Sequence, residues 1–296
     1  DGDVKKALAL IAKADVLVEG FRPGVTERLG LGPDVCHAEN PALVYARMTG
    51  WGQNGPLSKA AGHDINYIAL AGALDAIGTK SSGPVPPLNL VGDFGGGGML
   101  VAYGICAALL PAKISGKGSV IDAAMLDGAA LLMAMPFGLK AQGLWPSGRG
   151  NNLLDGGAPF YGTYKTSDEK WVAVGAIEEP FWQALIQALE LDAEVLKHRM
   201  DRTYWPQITA LIGEKIASET LGHWEARFED FDACFAPVLS MDQVADHPHS
   251  AERRVFQLVD GVTQPAPAPR FNGMVPDVAP TDVTAVGYQS VLSGWS

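Results

Sequence analysis

Cysteine is scarce in this 296-residue chain: Cys36, Cys106 and Cys234 stand far apart, in an odd number and without a CxxC spacing. That pattern excludes a disulfide framework and a thiolate zinc site, and it fits a reducing compartment, so a cytoplasmic location and no metal are expected. Clusters of Lys and Arg are missing as well, and the net charge is −11. Nucleic acid and anionic membrane surfaces need such clusters, so neither is expected as a partner, and a polyanionic ligand would have to be met by a few local cations. Long apolar runs are also lacking. The longest, Met99 to Leu110, is about twelve residues and is interrupted by Tyr103 and Gly104, short of the roughly 20 residues that a membrane-spanning helix needs.

What is present is core-forming material. Hydrophobic residues make up 47% of the chain against 19% charged ones, a balance that supports one or two globular domains rather than disorder. The chain opens at Asp1 without methionine and runs directly into a helical pattern, Val4, Leu8, Leu10, Ile11, then a strand-like run from Asp15 to Glu19. This reads as a start in mid-domain, with upstream elements expected to be missing.

Up to about residue 125, helical and strand periods alternate: helix near 3–13, strand 15–19, helices near 24–39, strand 42–48, helices 64–78 and 93–110, strand 119–123. Such alternation predicts an α/β fold with a mainly parallel sheet over residues 1–124. Residues 125–157 read as a linker helix that decays into the loop-like Gln142, Gly143, Pro146, Ser147, Gly148, Arg149 and Gly150. From Ala158 the period shortens to two around the turn Ser167-Asp168-Glu169, so a β-hairpin opens a smaller α+β domain over 158–246, with helices near 179–190, 205–218 and 221–228 and a strand at 234–239. Residues 247–296 read as a return linker and a proline-rich tail laid over the large domain, because Pro265, Pro267, Pro269 and Pro276 forbid a regular element there.

Several residues carry chemistry. His63, in Gly62-His63-Asp64-Ile65-Asn66-Tyr67, precedes an apolar helical run, where the helix dipole disfavours imidazolium and leaves a competent general base. The alternative is a solvated cap. Thirty positions further along, Asp93 stands before Gly95-Gly96-Gly97-Gly98 at the start of a second helix. Four glycines weaken a helix, a cost tolerated where a bulky ligand or another chain approaches its backbone. Asp93 is otherwise an ordinary N-cap. The run lacks the spacing of a dinucleotide fingerprint or a phosphate loop. Glu178 and Glu179 follow a predicted strand, where acids commonly serve as first-turn dipole partners. Arg22 and Arg28 follow the strand at 15–19, at the edge where open α/β sheets bind ligands and where arginine can meet phosphate.

Taken together, Gly62-His63-Asp64-Ile65-Asn66-Tyr67, Pro87-Leu88-Asn89-Leu90, Gly92-Asp93-Phe94-Gly95-Gly96-Gly97, Leu154-Asp155-Gly156-Gly157-Ala158-Pro159-Phe160-Tyr161, Val174-Gly175-Ala176-Ile177-Glu178 and Ala233-Cys234-Phe235-Ala236-Pro237-Val238 resemble the family III CoA-transferases of the CaiB/BaiF type, and within them the α-methylacyl-CoA racemases. The likeness extends from the first residue to about residue 275. It implies a Rossmann-like large domain and a small domain in an interlocked homodimer, with each active site between the large domain of one chain and the small domain of the other. It further implies an acyl-CoA thioester as substrate, no cofactor beyond the CoA of the substrate itself, His63 and Asp93 as the proton-transfer residues, and Glu178 as the acid that partners the histidine. Arg22 and Arg28 then fall near the CoA phosphates, with Asp64, Tyr67 and Asn89 as further binding positions. The rival within the family is a CoA-transferase in which Asp93 is a nucleophile, and the rival outside enzymes is an inert acyl-CoA-binding or dimerisation module.

Overall fold

Three short parallel strands frame the first of two units. In the computed structural model, which describes residues 2–146, 148–192, 194–278 and 288–294, β1 (Val16–Glu19), β2 (Val44–Thr49) and β3 (Ser119–Ala124) pair in that order. The middle strand is buried from Val44 through Arg47 and preceded by a fully buried Leu43, the continuous burial expected of a parallel strand covered on both faces. Alternate residues serve opposite layers. Tyr45 joins Ile11, Cys36 and Leu43, beneath α1 (Gly2–Ile11) and α3 (Pro33–Glu39). Ala46 joins Val101 and Ala123, beneath α6 (Leu100–Ser115). Between β1 and α3 lies the short α2 (Val25–Arg28), and after β2 come α4 (Asp64–Leu70) and α5 (Ala73–Ala76).

The segment ahead of α6, Leu90–Met99, is a π-helix, so the expected helix at 93–110 begins earlier, has wider turns, and carries Asp93 inside its first turn rather than at its cap. Together the two form one helical rod, Leu90–Ser115, of 26 residues, long and apolar enough by composition to cross a bilayer. This corrects the twelve-residue estimate: glycines, Pro111 and Lys113 interrupt the apolar run in the sequence, but none of them interrupts the helix. One side of the rod packs on the sheet through Val101 and Ile105. The other leaves Met99, Tyr103, Leu110 and Ile114 exposed.

The glycine run has a specific occupant. A Cβ on Gly96 would lie 2.6 Å from the backbone nitrogen of Ala129, and one on Gly128 would lie 1.9 Å from the carbonyl oxygen of Gly96. At Gly96 the close approach is therefore made by the chain's own α7 (Met125–Leu132). Gly97 abuts Met48 and Met125, whereas a Cβ on Gly98 would make only an ordinary contact, 3.6 Å from the carbonyl oxygen of Asp93. For the same reason α7 and α8 (Ala134–Ala141), expected in a linker, belong to the first unit, which comprises Asp1–Ala158 and Tyr288–Ser296. Helix α14 (Tyr288–Gly294) returns to it, where Lys13 Nζ donates to the carbonyl of Leu292 at 3.2 Å.

The second unit, Pro159–Gly287, is built on an antiparallel sheet ordered β4 (Tyr161–Lys165), β5 (Trp171–Gly175) and β6 (Phe235–Pro237). Its core centres on Phe160, which meets Trp182 and Trp205 edge to face at 6.0 and 5.9 Å between ring centres. These tryptophans come from α9 (Glu179–Ala188) and α11 (Trp205–Ala217), with α10 (Glu194–Lys197) between them and α12 (Leu221–Phe228) following. Two features fall where only linker was expected: α13 (Pro248–Glu252) and the hairpin β7 (Phe256–Val259) and β8 (Val262–Pro265). Asp260 and Gly261 turn that hairpin with φ of 50° and 78°, the left-handed pair that a two-residue Asp-Gly loop supplies. Residues 279–287 of the predicted extended tail lie outside the described residues.

The helix contact makes a direct prediction. Gly128→Ala should destabilise the fold by about 2–3 kcal/mol, since backbone rather than a flexible side chain must yield, while Gly98→Ala should be neutral or stabilising by up to about 1 kcal/mol. Denaturant midpoints of the two variants measure the contrast.

Candidate active site

The three strands end at a cavity of ≈ 460 Å³ lined by the loop after β1 (Gly20 to Pro23), the end of β2 (Met48 to Trp51), and the approach to α4 with its first turn. This is the carboxyl edge of the sheet, where open α/β folds collect ligands. His63 stands on its wall in an extended conformation (φ −133°, ψ 174°) just before α4. Its backbone N–H donates to Asn66 Oδ1 at 3.1 Å, so the start of the helix is closed by its own third residue and the imidazole is left exposed.

Tyr67, one turn on, is buried and braces the same corner. Its hydroxyl donates to the carbonyl of Gly62 at 2.5 Å and its ring meets Trp51 edge to face at 4.8 Å. A Cβ on Gly50 would fall 2.0 Å from the Tyr67 ring, and one on Gly62 would fall 2.7 Å from it. Those two glycines exist so that the ring can lie against the backbone carrying His63. Burial pushes the Tyr67 phenol up, and the Asp93 carboxylate adds to the shift while Arg22 opposes it, so the phenol senses the fields of both the carboxylate and the guanidinium.

Asp64 joins the two helix starts. Its Oδ1 accepts from the backbone N–H of Gly92 at 2.6 Å and of Asp93 at 2.8 Å. The residue is 5% exposed, and its Oδ2 is buried without a hydrogen-bond partner. Asp64, expected as a binding residue, here forms an internal bracket: the residue next to His63 holds the backbone of Asp93. Gly92 is required here, since a Cβ would lie 2.4 Å from Asp64 Oδ1. Asn89, at the cap of the π-helix, donates through Nδ2 to Asp93 Oδ2 at 3.1 Å and steadies the carboxylate itself.

Of the remaining predicted residues, Arg22 lines the cavity. Arg28 ends α2 in an exposed position outside the cavity wall. Glu178 belongs to the second unit, exposed and immediately before α9, where it and Asp232 add to the burial that pushes the Cys234 thiol up. Among the described residues no group of three or more His, Cys, Asp or Glu side chains could hold a metal ion. The sequence reading missed Arg47 with Glu19, Thr26 and Glu27, which bond to one another beside the cavity. The available signal was an arginine inside the otherwise apolar run Leu43-Val44-Tyr45-Ala46-Arg47-Met48.

Comparisons with known proteins bear on this site. A family model described as CoA-transferase family III matches residues 1–285. The chain is 46% identical to Alpha-methylacyl-CoA racemase of Mus musculus over 260 residues, which is 88% of this chain and 68% of that protein. It is 44% identical to Alpha-methylacyl-CoA racemase of Homo sapiens over 261 residues, with the same coverage of each. Among solved structures, Rv3272 from M. tuberculosis superposes with a TM-score of 0.73 at 26% identity, covering 93% of this chain and 73% of that one.

The Asp64 bracket can be tested on stability alone. Asp64→Ala leaves one buried and one half-buried N–H group without an acceptor and should cost about 2–4 kcal/mol, whereas Asp64→Asn retains a carbonyl oxygen and should recover most of that loss. Urea midpoints distinguish the two.

Proposed function

We propose a racemase activity on 2-methylacyl-CoA thioesters, from the premise that the chain belongs to CoA-transferase family III. The observation that carries the reading is the Asp64 bracket, which ties the residue after His63 to the backbone of Asp93, so that both residues stand at helix starts sharing one anchoring carboxylate. The α-hydrogen of a thioester is weakly acidic, and inverting its carbon needs one base to take the proton on one face and a protonated group to return one on the other. His63 and Asp93 are the two groups. In one direction His63 removes the proton and Asp93 delivers its own; in the other they exchange roles, so one is protonated whenever the other is not. Between the steps the thioester oxygen carries enolate charge, which backbone N–H groups at the start of α4 stabilise. The proton transfers ask nothing of a metal or redox group, and the CoA belongs to the substrate.

Around that pair, Asn89 orients the Asp93 carboxylate, Glu178 steadies the imidazole, and Arg22 and Arg28 meet the CoA phosphates. Because Glu178 lies in the second unit, the reading includes the interlocked homodimer, in which the Rossmann-like unit of one chain is completed by the smaller unit of its partner. The exposed apolar side of the 26-residue rod supports that arrangement: covered by a second chain it needs no lipid, and its opposite side is already committed to the sheet. The cytoplasmic location rests on the cysteine pattern alone.

The rival within the family uses Asp93 as a nucleophile that forms an acyl anhydride and then a CoA thioester; His63 has no task in that chemistry. In deuterated water, one enantiomer of a 2-methylacyl-CoA should lose optical purity as it gains α-deuterium, and His63→Ala should slow both by at least about a hundredfold. CoA passage to an added carboxylate without α-exchange would reverse the assignment. Light scattering should give the mass of two chains; a monomer that races through exchange at full rate would rule out a shared site.

A further inference from the structure

The segment that carries Arg22 and Arg28 is held by polar bonds, not by apolar burial. None of residues 20–25 is buried, and Phe21 is 55% exposed. The parallel register of β1 and β2 sets Glu19 beside Arg47, both 6% exposed at the end of the sheet. Arg47 Nε donates to Glu19 Oε1 at 2.8 Å. Its Nη1 and Nη2 fork onto Glu27 at 2.8 and 3.2 Å, and Nη2 also reaches Thr26 Oγ1 at 3.4 Å. The second oxygen of Glu19 accepts from the backbone N–H of Phe21 at 2.8 Å. One guanidinium thus secures the segment at both ends, at Phe21 through Glu19 and at α2 through Thr26 and Glu27. Arg22 lies between these ties, and Arg28 directly follows Glu27.

An apolar residue would fill this place in β2 as well as its neighbours do, and a buried ion pair is seldom the more stable choice. The network therefore calls for a purpose other than stability. Its geometry and charge supply one. An arginine loop ordered before the ligand arrives avoids the ordering cost on binding, and a planar fork fixes two carboxylates in a way that an ammonium does not. Glu19 and Glu27 would also repel an anion beside Arg22 in a chain that is already acidic. Bonded to Arg47, the two acids lose one of their two negative charges to its guanidinium, and the bond to Arg47 holds the Glu27 carboxyl below its ordinary range.

We propose that Arg47 is a positioning residue for anion recognition: through Glu19, Thr26 and Glu27 it sets the 21–28 segment and offsets one of the two negative charges beside it, so that Arg22 and Arg28 can grip the phosphates of an acyl-CoA. The inference rests on the acyl-CoA reading for the identity of the anion. Its mark is a split between binding and turnover that depends on the phosphates.

The experiment compares the unmodified protein with Arg47→Lys and Arg47→Met on two substrates, a 2-methylacyl-CoA and the same acyl group on N-acetylcysteamine, a thioester without phosphates. Calorimetry with free CoA runs beside it. KM for the CoA thioester and Kd for CoA should rise roughly tenfold or more with kcat little changed, while the truncated thioester is handled as by the unmodified protein. Equal losses on both thioesters, or an unaltered Kd for CoA, would overturn the proposal. Arg47→Lys keeps the buried charge and carries the test if Arg47→Met does not fold. Should the unmodified protein bind CoA but exchange no α-hydrogen, the racemase reading fails and the calorimetry still decides the role of Arg47. Should it bind no CoA, the proposal falls with the reading beneath it.

Discussion

The geometry of the first unit turns on one carboxylate oxygen. Asp64 Oδ1 receives two backbone N–H groups from the start of the π-helix, and Asp64 is itself the first residue of α4. Two helices that are separate in the chain thereby share a single anchoring atom at their N-terminal ends. Helix starts are where backbone donors lack partners and where negative charge is favourable, so the carboxylate satisfies a need that exists whether or not a ligand is bound. His63 and Asp93 are each within one residue of that anchor. Their placement follows from satisfying backbone donors, with no cost charged to the binding step.

The anchor would fail without the glycines. Gly92 makes room for the Asp64 oxygen, Gly96 and Gly128 let the π-helix and α7 meet backbone to backbone, and Gly50 and Gly62 admit the Tyr67 ring. Each replaces a Cβ with another group's atoms. The wide turns of the π-helix belong to the same economy of space, since an inserted residue is a known feature of helices at functional sites. Rigidity here comes from interlocking rather than from helix propensity, which a run of four glycines opposes.

Much of this was legible in the sequence, and what was not has physical causes. The three parallel strands, the hairpin around Ser167-Asp168-Glu169 and most helices follow from period and turn chemistry, which are local. His63 and Asp93 were legible as helix-start residues for the same reason. The function of Asp64 was not, because its partners lie 28 and 29 residues away and nothing in its own neighbourhood distinguishes a bracket from a ligand contact. The tight partner of the glycine run was likewise hidden, since Gly128 is an unremarked residue in an apolar helix. The 26-residue rod was underestimated because hydropathy runs stop at polar residues and helices do not. The Asp260-Gly261 hairpin, by contrast, had a clear local signal that the surrounding prolines obscured.

Charge poses the harder constraint, and the structure meets it by confinement. A chain with a net charge of −11 repels an anion at long range, where salt already weakens the field. At contact distance only the nearest groups matter. The edge of the cavity holds Arg22, with Glu19 close by in the chain and Glu27 one turn beyond. Had these acids stood free, they would have cancelled the arginines at the one place where positive charge is useful. Folding instead turns both acids toward Arg47, whose guanidinium is buried. One of the two negative charges is then offset by Arg47, and both acids are held against it instead of standing free beside Arg22 and Arg28. An acidic protein can in this way present a cationic rim without changing its composition, by choosing which of its charges face one another.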